Sequence, residues 1–145
     1  MRLKDKTAIV TGAASGFGAG IAAKFIAEGA RVLVADLNGD GAAEVAQSLG
    51  PNATACQADV GSSASVNAMA ETALSAFGTL DIIINNAGVT HLPKPMEEVS
   101  EEDFDRVTNV NMKSIYFIAK ALVPHSRFFR CFDKISQYSA SLARA

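Results

Sequence analysis

Thr7-Ala8-Ile9-Val10-Thr11-Gly12-Ala13-Ala14-Ser15-Gly16-Phe17-Gly18 decides how this chain is read. Ala8, Ile9 and Val10 form an apolar run too short for a helix and bounded by threonines, so they read as a buried strand. Three glycines follow. An apolar-periodic segment over about 17–28 then reads as a helix, with Ile21, Phe25 and Ile26 on one face and Lys24 and Glu28 outside. Strand, glycine turn and helix together suit a phosphate. The glycines allow a tight turn and let backbone N–H groups approach a pyrophosphate, and the helix start presents unpaired donors and the positive end of its dipole. The spacing is G-x-x-x-G-x-G over Gly12, Gly16 and Gly18. Taken alone, such a turn is weak evidence, since an ordinary β–α connection can show it too. A second apolar run, Arg31-Val-Leu-Val-Ala-Asp36, ends on a carboxylate at close to the ~20-residue spacing of an acid that binds an adenosine ribose.

Outward from this unit the pattern repeats. Gly29 closes the first helix, and Val32–Ala35 is a continuous apolar run, as in a parallel sheet covered on both faces. A helix over 40–49 stops at Gly50-Pro51. A strand over 54–57 leads into Ala58-Asp59-Val60, where Asp59 reads by itself as an Asx-turn or helix-start residue. A helix over 63–77 carries Val66, Met69, Ala73, Ala76 and Phe77 at core spacing, and a strand over 80–84 runs into Asn85-Asn86-Ala87-Gly88. The order predicts an α/β fold, a three-layer doubly wound parallel sheet with right-handed crossovers. Ser100 caps the next helix, about 101–124. Glu101, Glu102 and Asp103 sit at its positive end, so this acidic run is a helix start and not a metal site. Asn111 falls inside that apolar-faced helix, where an amide costs stability unless satisfied.

The 145 residues suffice for one core, and 49% hydrophobic with 19% charged residues is ordinary globular composition. A net charge of −2 without a basic stretch argues against a nucleic-acid or anionic-membrane partner. No signal peptide or membrane-length apolar run is read. Cys56 and Cys131 lack metal-ligand spacing; they read as small buried hydrophobes and fit a cytoplasmic protein. No metal site is expected.

Three stretches in this order resemble the short-chain dehydrogenase/reductase family, classical type, over about residues 3–125. They are Thr11–Gly18 as T-G-x-x-x-G-x-G, Asn85-Asn86-Ala87-Gly88, and Asn111 in its helix. The resemblance implies a Rossmann-type sheet and an NAD-dependent oxidoreductase acting on an alcohol or ketone. It puts Gly12, Ser15, Phe17 and Gly18 at the cofactor pyrophosphate and Asp36 at the ribose. Asp59 and Val60 then lie at the adenine, and Asn85, Ala87 and Gly88 at the nicotinamide-ribose side. Asn86 is assigned at least as much to bracing the central strand. Asn111 is implied as a catalytic residue that bends its helix and holds a water of a proton relay, and the 101–124 helix as the contact of a homo-oligomer. The family pattern puts no catalytic role on His91. NAD is expected over NADP, because Asp36 repels a 2′-phosphate and Ala13, Ala14 and Leu37 offer it no cation.

The family's chemistry also requires a Ser and a Tyr-x-x-x-Lys pair, the Lys lowering the phenol pKa toward neutrality. The tail over 126–145 departs from that pattern. Tyr138-Ser-Ala-Ser-Leu142 has Leu where the Lys belongs. Counting from Asn111 instead puts 129–135 at strand five, one of Ser136, Ser139 and Ser141 near the Ser position, and the Tyr beyond the last residue. The expectation is therefore a nucleotide-binding domain over 1–125, truncated after about the fifth helix or strand, with an atypical tail. It stands for an oxidoreductase without its Tyr/Lys pair or, alternatively, for a non-catalytic NAD-binding or dimerisation module.

Overall fold

A computed structural model describes residues 1–125 and the backbone of 132–134. Its elements run β1 (Thr7–Thr11), α1 (Gly16–Ala27), β2 (Arg31–Asp36), α2 (Gly39–Leu49), β3 (Ala53–Gln57), α3 (Ser63–Phe77) and β4 (Ile82–Asn85). A 3-10 turn at Met96–Glu98, α4 (Glu101–Thr108), a π-turn at Asn109–Lys113, α5 (Ser114–Leu122), a 3-10 turn at Val123–His125 and β5 (Phe132–Lys134) follow. The strands pair in parallel in the order β3-β2-β1-β4-β5. This is the expected doubly wound, Rossmann-type arrangement, and β5 falls within the stretch read as a replacement for strand five.

Alternation along the strands sorts the core into two layers. Ile9, Leu33, Ala35 and Ile83 point to one face and meet Val66, Met69, Ala73 and Phe77 of α3 and Ile118 and Leu122 of α5. Ala8, Val10, Val32 and Val34 point to the other and meet Ala22 of α1 and Ala42 and Ala46 of α2, with Ile21, Phe25 and Ile26 packed around them. Both faces are covered, which is why β1 and β2 carry unbroken apolar runs. Leu33, Ile9 and Met69 are fully buried, each contributing about 1.5–3 kcal/mol of transfer free energy.

Two boundaries differ from the sequence reading. β4 begins at Ile82, because Leu80 is spent in the core before the strand and the Asp81 carboxylate ties the strand's start to Thr7. The single helix expected over 101–124 is instead α4 and α5 joined through the π-turn, and it ends in a 3-10 turn. The extra residue of that turn sits where Asn109 and Asn111 are drawn toward two different loops, and tertiary hydrogen bonds outweigh the regular helical pattern there.

Candidate functional site

The strand order reverses between β1, which pairs outward with β2, and β4, which pairs outward with β5. Ligands of open α/β sheets bind in the crevice beyond the carboxyl ends of the strands at such a point. Here the crevice brings the Gly12 turn against Asn85–Gly88. Thr11 Oγ1 donates to Ile84 O (3.2 Å) and accepts from the N–H groups of Asn86 and Ala87, both at 3.1 Å. In return Asn86 Nδ2 donates to Thr11 O (2.9 Å) and Gly12 O (3.0 Å). Asn86 thus serves as the brace expected of it. Gly12 has φ +63°, and a Cβ there would come within 2.8 Å of Ala87 Cα, so conformation and space both demand glycine.

Ser15 caps α1 in an extended conformation, but its hydroxyl makes no capping bond. The first-turn N–H groups of α1 therefore keep the free donors that an anion would use. Gly16 (φ +55°) has open space where a Cβ would go, and Phe17 is 52% exposed beside it. Gly18 differs from both: a Cβ on it would meet Gly12 O and sit 2.7 Å from Asn86 Nδ2 and 2.8 Å from Ala13 Cα. Its role is close packing of helix against turn. At the end of β2, Asp36 Oδ2 accepts from Ala14 N (2.9 Å) and Oδ1 from Asn38 N (2.9 Å). The carboxylate so fixes the glycine turn while staying partly exposed, each oxygen keeping a lone pair for a further donor.

At the end of β3, Asp59 is exposed and Val60 is buried in the core. Asp59 Oδ1 accepts from Gly61 N (2.8 Å), the Asx-turn read from the sequence, and Asp59 N donates to Ser65 Oγ (2.9 Å). Ser62 caps α3 through Ser65 N (3.3 Å). Asn109 Nδ2 donates to Gly61 O (2.9 Å).

On the β4 side, Asn85 is 4% exposed and neither amide atom has a hydrogen-bond partner among the described residues; Asn86 Oδ1 is likewise unpaired. Ala87 is half-buried and Gly88 exposed. Asn111 spends its amide as a two-point clamp on Val89, accepting from Val89 N (2.9 Å) and donating to Val89 O (2.8 Å). Its carboxamide braces the loop after Gly88. That loop is tied again where Arg106 donates to Thr90 O (3.2 Å) and Lys94 pairs with Asp103 (2.8 Å). The Lys94 hydrogen bond, against the opposing effect of burial and with help from Arg106, holds the Asp103 carboxyl below its ordinary range. His91 has its Nδ1 2.7 Å from Leu92 O, and no carboxylate or nucleophile is paired with it among the described residues.

The sequence reading missed Asn109 as a clamp and Thr11 as the hub of the clasp. The second lay inside the quoted motif; the first was visible only as a second amide two residues before Asn111. Tyr116 and Lys120 have Tyr-x-x-x-Lys spacing, but Tyr116 falls within the Asn111 helix and is set aside on that ground. They lie on α5 with Tyr116 58% exposed and Lys120 Nζ 5.8 Å from the ring centroid, over its face. Tyr138, Leu142, Cys131 and Ser136, Ser139 and Ser141 lie outside the described residues. Cys56 is half-buried at the core's margin, and burial pushes its thiol pKa up; full burial was expected, but β3 is the outer strand and leaves it partly open. Among the described residues no cluster of three potential metal ligands occurs, and no helix is long and apolar enough to cross a membrane.

Comparison with known proteins agrees with this geometry. The family profile described as short chain dehydrogenase matches residues 6–128. The 4-formylbenzenesulfonate dehydrogenase of Comamonas testosteroni is 47% identical over 128 residues, covering 86% of this chain and 51% of that protein. Galactitol 2-dehydrogenase of Agrobacterium fabrum is 39% identical over 84% of this chain and 47% of that one. The crystal structure of a 3-ketoacyl-(acyl-carrier-protein) reductase from Brucella melitensis complexed with NADH superposes with a TM-score of 0.83 at 45% identity, over 85% of this chain and 51% of that chain. The chain spans about half the length of the curated relatives it matches.

Proposed function

The chain belongs to the short chain dehydrogenase family, and from that premise we propose that it binds NAD(H) in the crevice between the Gly12 turn and Asn85–Gly88. It is the cofactor-holding half of an oxidoreductase for a small alcohol or ketone. The observation that carries this reading is the uncapped start of α1. N–H donors and a Ser15 hydroxyl without partners among the described residues, and open room at Gly16, meet at the switch point, with Asp36 beside them.

The residues fit the cofactor. Ser15, Gly16 and Phe17 would receive the pyrophosphate, Asp36 the adenosine ribose hydroxyls, and Asp59 and Val60 the adenine end. The Gly88–Val89 loop, set by Asn111, would border the nicotinamide-ribose. Bound nicotinamide supplies hydride exchange with the substrate carbon. NAD is the proposed partner over NADP. The groove beyond Asp36 is lined by Leu37, Asn38, Gly39, Asp40 and Gln57 among others and has no Lys or Arg in its lining. Arg31 stands at the opposite end of β2, over the Phe77 ring at 5.1 Å.

A proton must still reach the carbonyl oxygen, and general acid–base help of this kind is worth about 10²–10⁴-fold. Asn111 has no acidic proton to give, and Tyr116 is on the exposed face of α5. The 145-residue chain is therefore expected to bind NADH but to show negligible turnover with alcohols and ketones. Leu142→Lys, which restores the literal Tyr-Ser-Ala-Ser-Lys motif, is expected to restore none. Calorimetric titration with NADH alongside a turnover assay tests both statements. Absence of NADH binding overturns the first, and robust turnover by the Leu142→Lys variant, lost again with Tyr138→Phe, overturns the second.

The module alternative draws on Phe104, Met112 and Tyr116, exposed at 59%, 68% and 58% along α4, the π-turn and α5. On this reading the segment covers that face with a second copy of the family fold. Sedimentation at micromolar concentration, with Tyr116→Glu as the disrupting variant, tests it.

A further inference from the structure

We propose that Asn109 is a positioning residue for the adenine end of the cofactor, acting through Gly61; the proposal rests on the nucleotide-binding reading above. Asn109 opens the π-turn, half-buried, and its Nδ2 donates to Gly61 O at 2.9 Å. Gly61 N donates to Asp59 Oδ1 at 2.8 Å, and Asp59 N to Ser65 Oγ at 2.9 Å. Ser65 and Asp59 are local partners. Asn109 lies 48 residues away in sequence and supplies the long-range hold on this turn.

Gly61 carries the imprint of that hold. It takes no left-handed φ, so conformation does not require glycine there. Space is tight instead: a Cβ would lie 2.7 Å from Asn109 Nδ2 and 3.2 Å from Asp59 Oδ1, so the Asn109 carboxamide would have to shift. The backbone is bare because the carboxamide of Asn109 is seated against it. With Oδ1 committed to Gly61, Asp59 Oδ2 remains an exposed acceptor without a hydrogen-bond partner among the described residues. An oriented carboxylate oxygen at the carboxyl end of β3 matches the donor chemistry of the adenine exocyclic amine.

Asn109 and Asn111 both lie in the π-turn. Residues two apart on a helix do not share a face. Asn109 therefore meets the loop after β3 while Asn111 meets the loop after β4. One irregular turn thus sets two loops, and the adenine-side loop depends on Asn109.

The test is calorimetric titration of the full chain with NADH, AMP and nicotinamide mononucleotide. The unaltered chain should bind NADH and AMP; if it binds neither, the nucleotide-binding reading itself fails and this proposal with it. Asn109→Asp sets a carboxylate against the Gly61 carbonyl and should weaken AMP about tenfold. Nicotinamide mononucleotide should be unaffected. Equal AMP affinity in the variant, or parallel weakening of both half-ligands, overturns the proposal while leaving the cofactor reading intact.

A second arm does not depend on that variant folding well. Gly61→Ala should weaken AMP in the unaltered chain and much less in an Asn109→Ala background, where the obstructing Nδ2 is gone. Additive effects of the two changes overturn the proposal.

Discussion

The two ends of the sheet are held by opposite means. At the amino end charged side chains take part, beside the neutral bond from Thr7 Oγ1 to Thr79 O. Lys6 Nζ pairs with Asp81 Oδ1 at 3.0 Å, and Asp81 Oδ2 accepts from Thr7 N at 3.1 Å. Nearby, Glu28 collects Arg2 and Lys24; the Arg2 backbone N–H first, then Lys24 and the Arg2 side chain, bring its carboxyl down to about 2. At the carboxyl end the ties between β1 and β4 are neutral: a hydroxyl, a carboxamide and backbone amides around Thr11 and Asn86. Asp36, a carboxylate at that end, holds the turn through backbone N–H groups. The difference fits the proposed cofactor site: an end that is to take an anion is best built without side-chain cations that would pair with its own carboxylates. The helix start and N–H groups supply a fixed positive field that needs no counter-charge.

The sharpest way to break this contrast is steric. Gly18→Val, or Gly12→Val, drives a side chain into the neutral clasp and should cost about 3 kcal/mol or more, with NADH binding abolished. A Cβ at Gly16 finds no atom within 4 Å among the described residues, so Gly16→Val should cost only about 1–2 kcal/mol of backbone strain while still abolishing NADH binding. Urea denaturation and calorimetry read both. A Gly16→Val protein that keeps its NADH affinity would show that this turn serves folding alone.

The carboxyl end should next declare its charge selectivity. NADH should bind more tightly than NADPH by about 2–3 kcal/mol, since the added phosphate meets Asp36 and lacks a cation. Equal affinities in side-by-side titrations would contradict the assignment. Removing the neutral clasp with Asn86→Leu leaves Thr11 O and Gly12 O without this donor and should cost about 2 kcal/mol, by urea denaturation.

The amino end should give the smallest effect, and the pH-dependent one. Burial pushes the Asp81 carboxyl up, but hydrogen bonds from Lys6 and Thr7 outweigh it and the net shift is downward. A lowered folded-state pKa means that this stability is fully present above the ordinary aspartate value of about 4 and is lost as pH falls through the lowered one. Asp81→Asn should cost about 1 kcal/mol at pH 7 and flatten the fall in stability toward pH 3. An unchanged acid slope in the variant would place the acid sensitivity elsewhere, with Glu28 and Asp103 the next groups to replace.

Residues whose role depends on their neighbours in sequence were legible without coordinates. Ser100 was readable as a cap from the acids behind it, and it accepts from Asp103 N at 3.1 Å. Met69 was readable as core from helical spacing, and it is fully buried. Asp59 was readable as an Asx-turn from its place after a strand. Asn109 was not legible: its neighbours describe a helix interior, and its partner Gly61 lies in another loop. A bend in the 101–124 helix was implied only by the family resemblance at Asn111, since nothing in Asn109-Val-Asn-Met-Lys113 breaks a helix by propensity.

By itself the sequence determined the alternation of strands and helices, the two-sided burial of β1 and β2, and the chemistry of the turn at Gly12, Gly16 and Asp36. These follow from periodicity and from the steric freedom of individual residues, which act over a few positions. Only the tertiary structure decided which glycine packs and which stays open, that Asn86 closes on Thr11, and that Asn109 and Asn111 serve different loops. Each of those contacts joins positions far apart in the chain. They form only once the strand order sets β4 beside β1 and brings α5 against α3, and no local pattern records which distant atoms will then lie within hydrogen-bond reach.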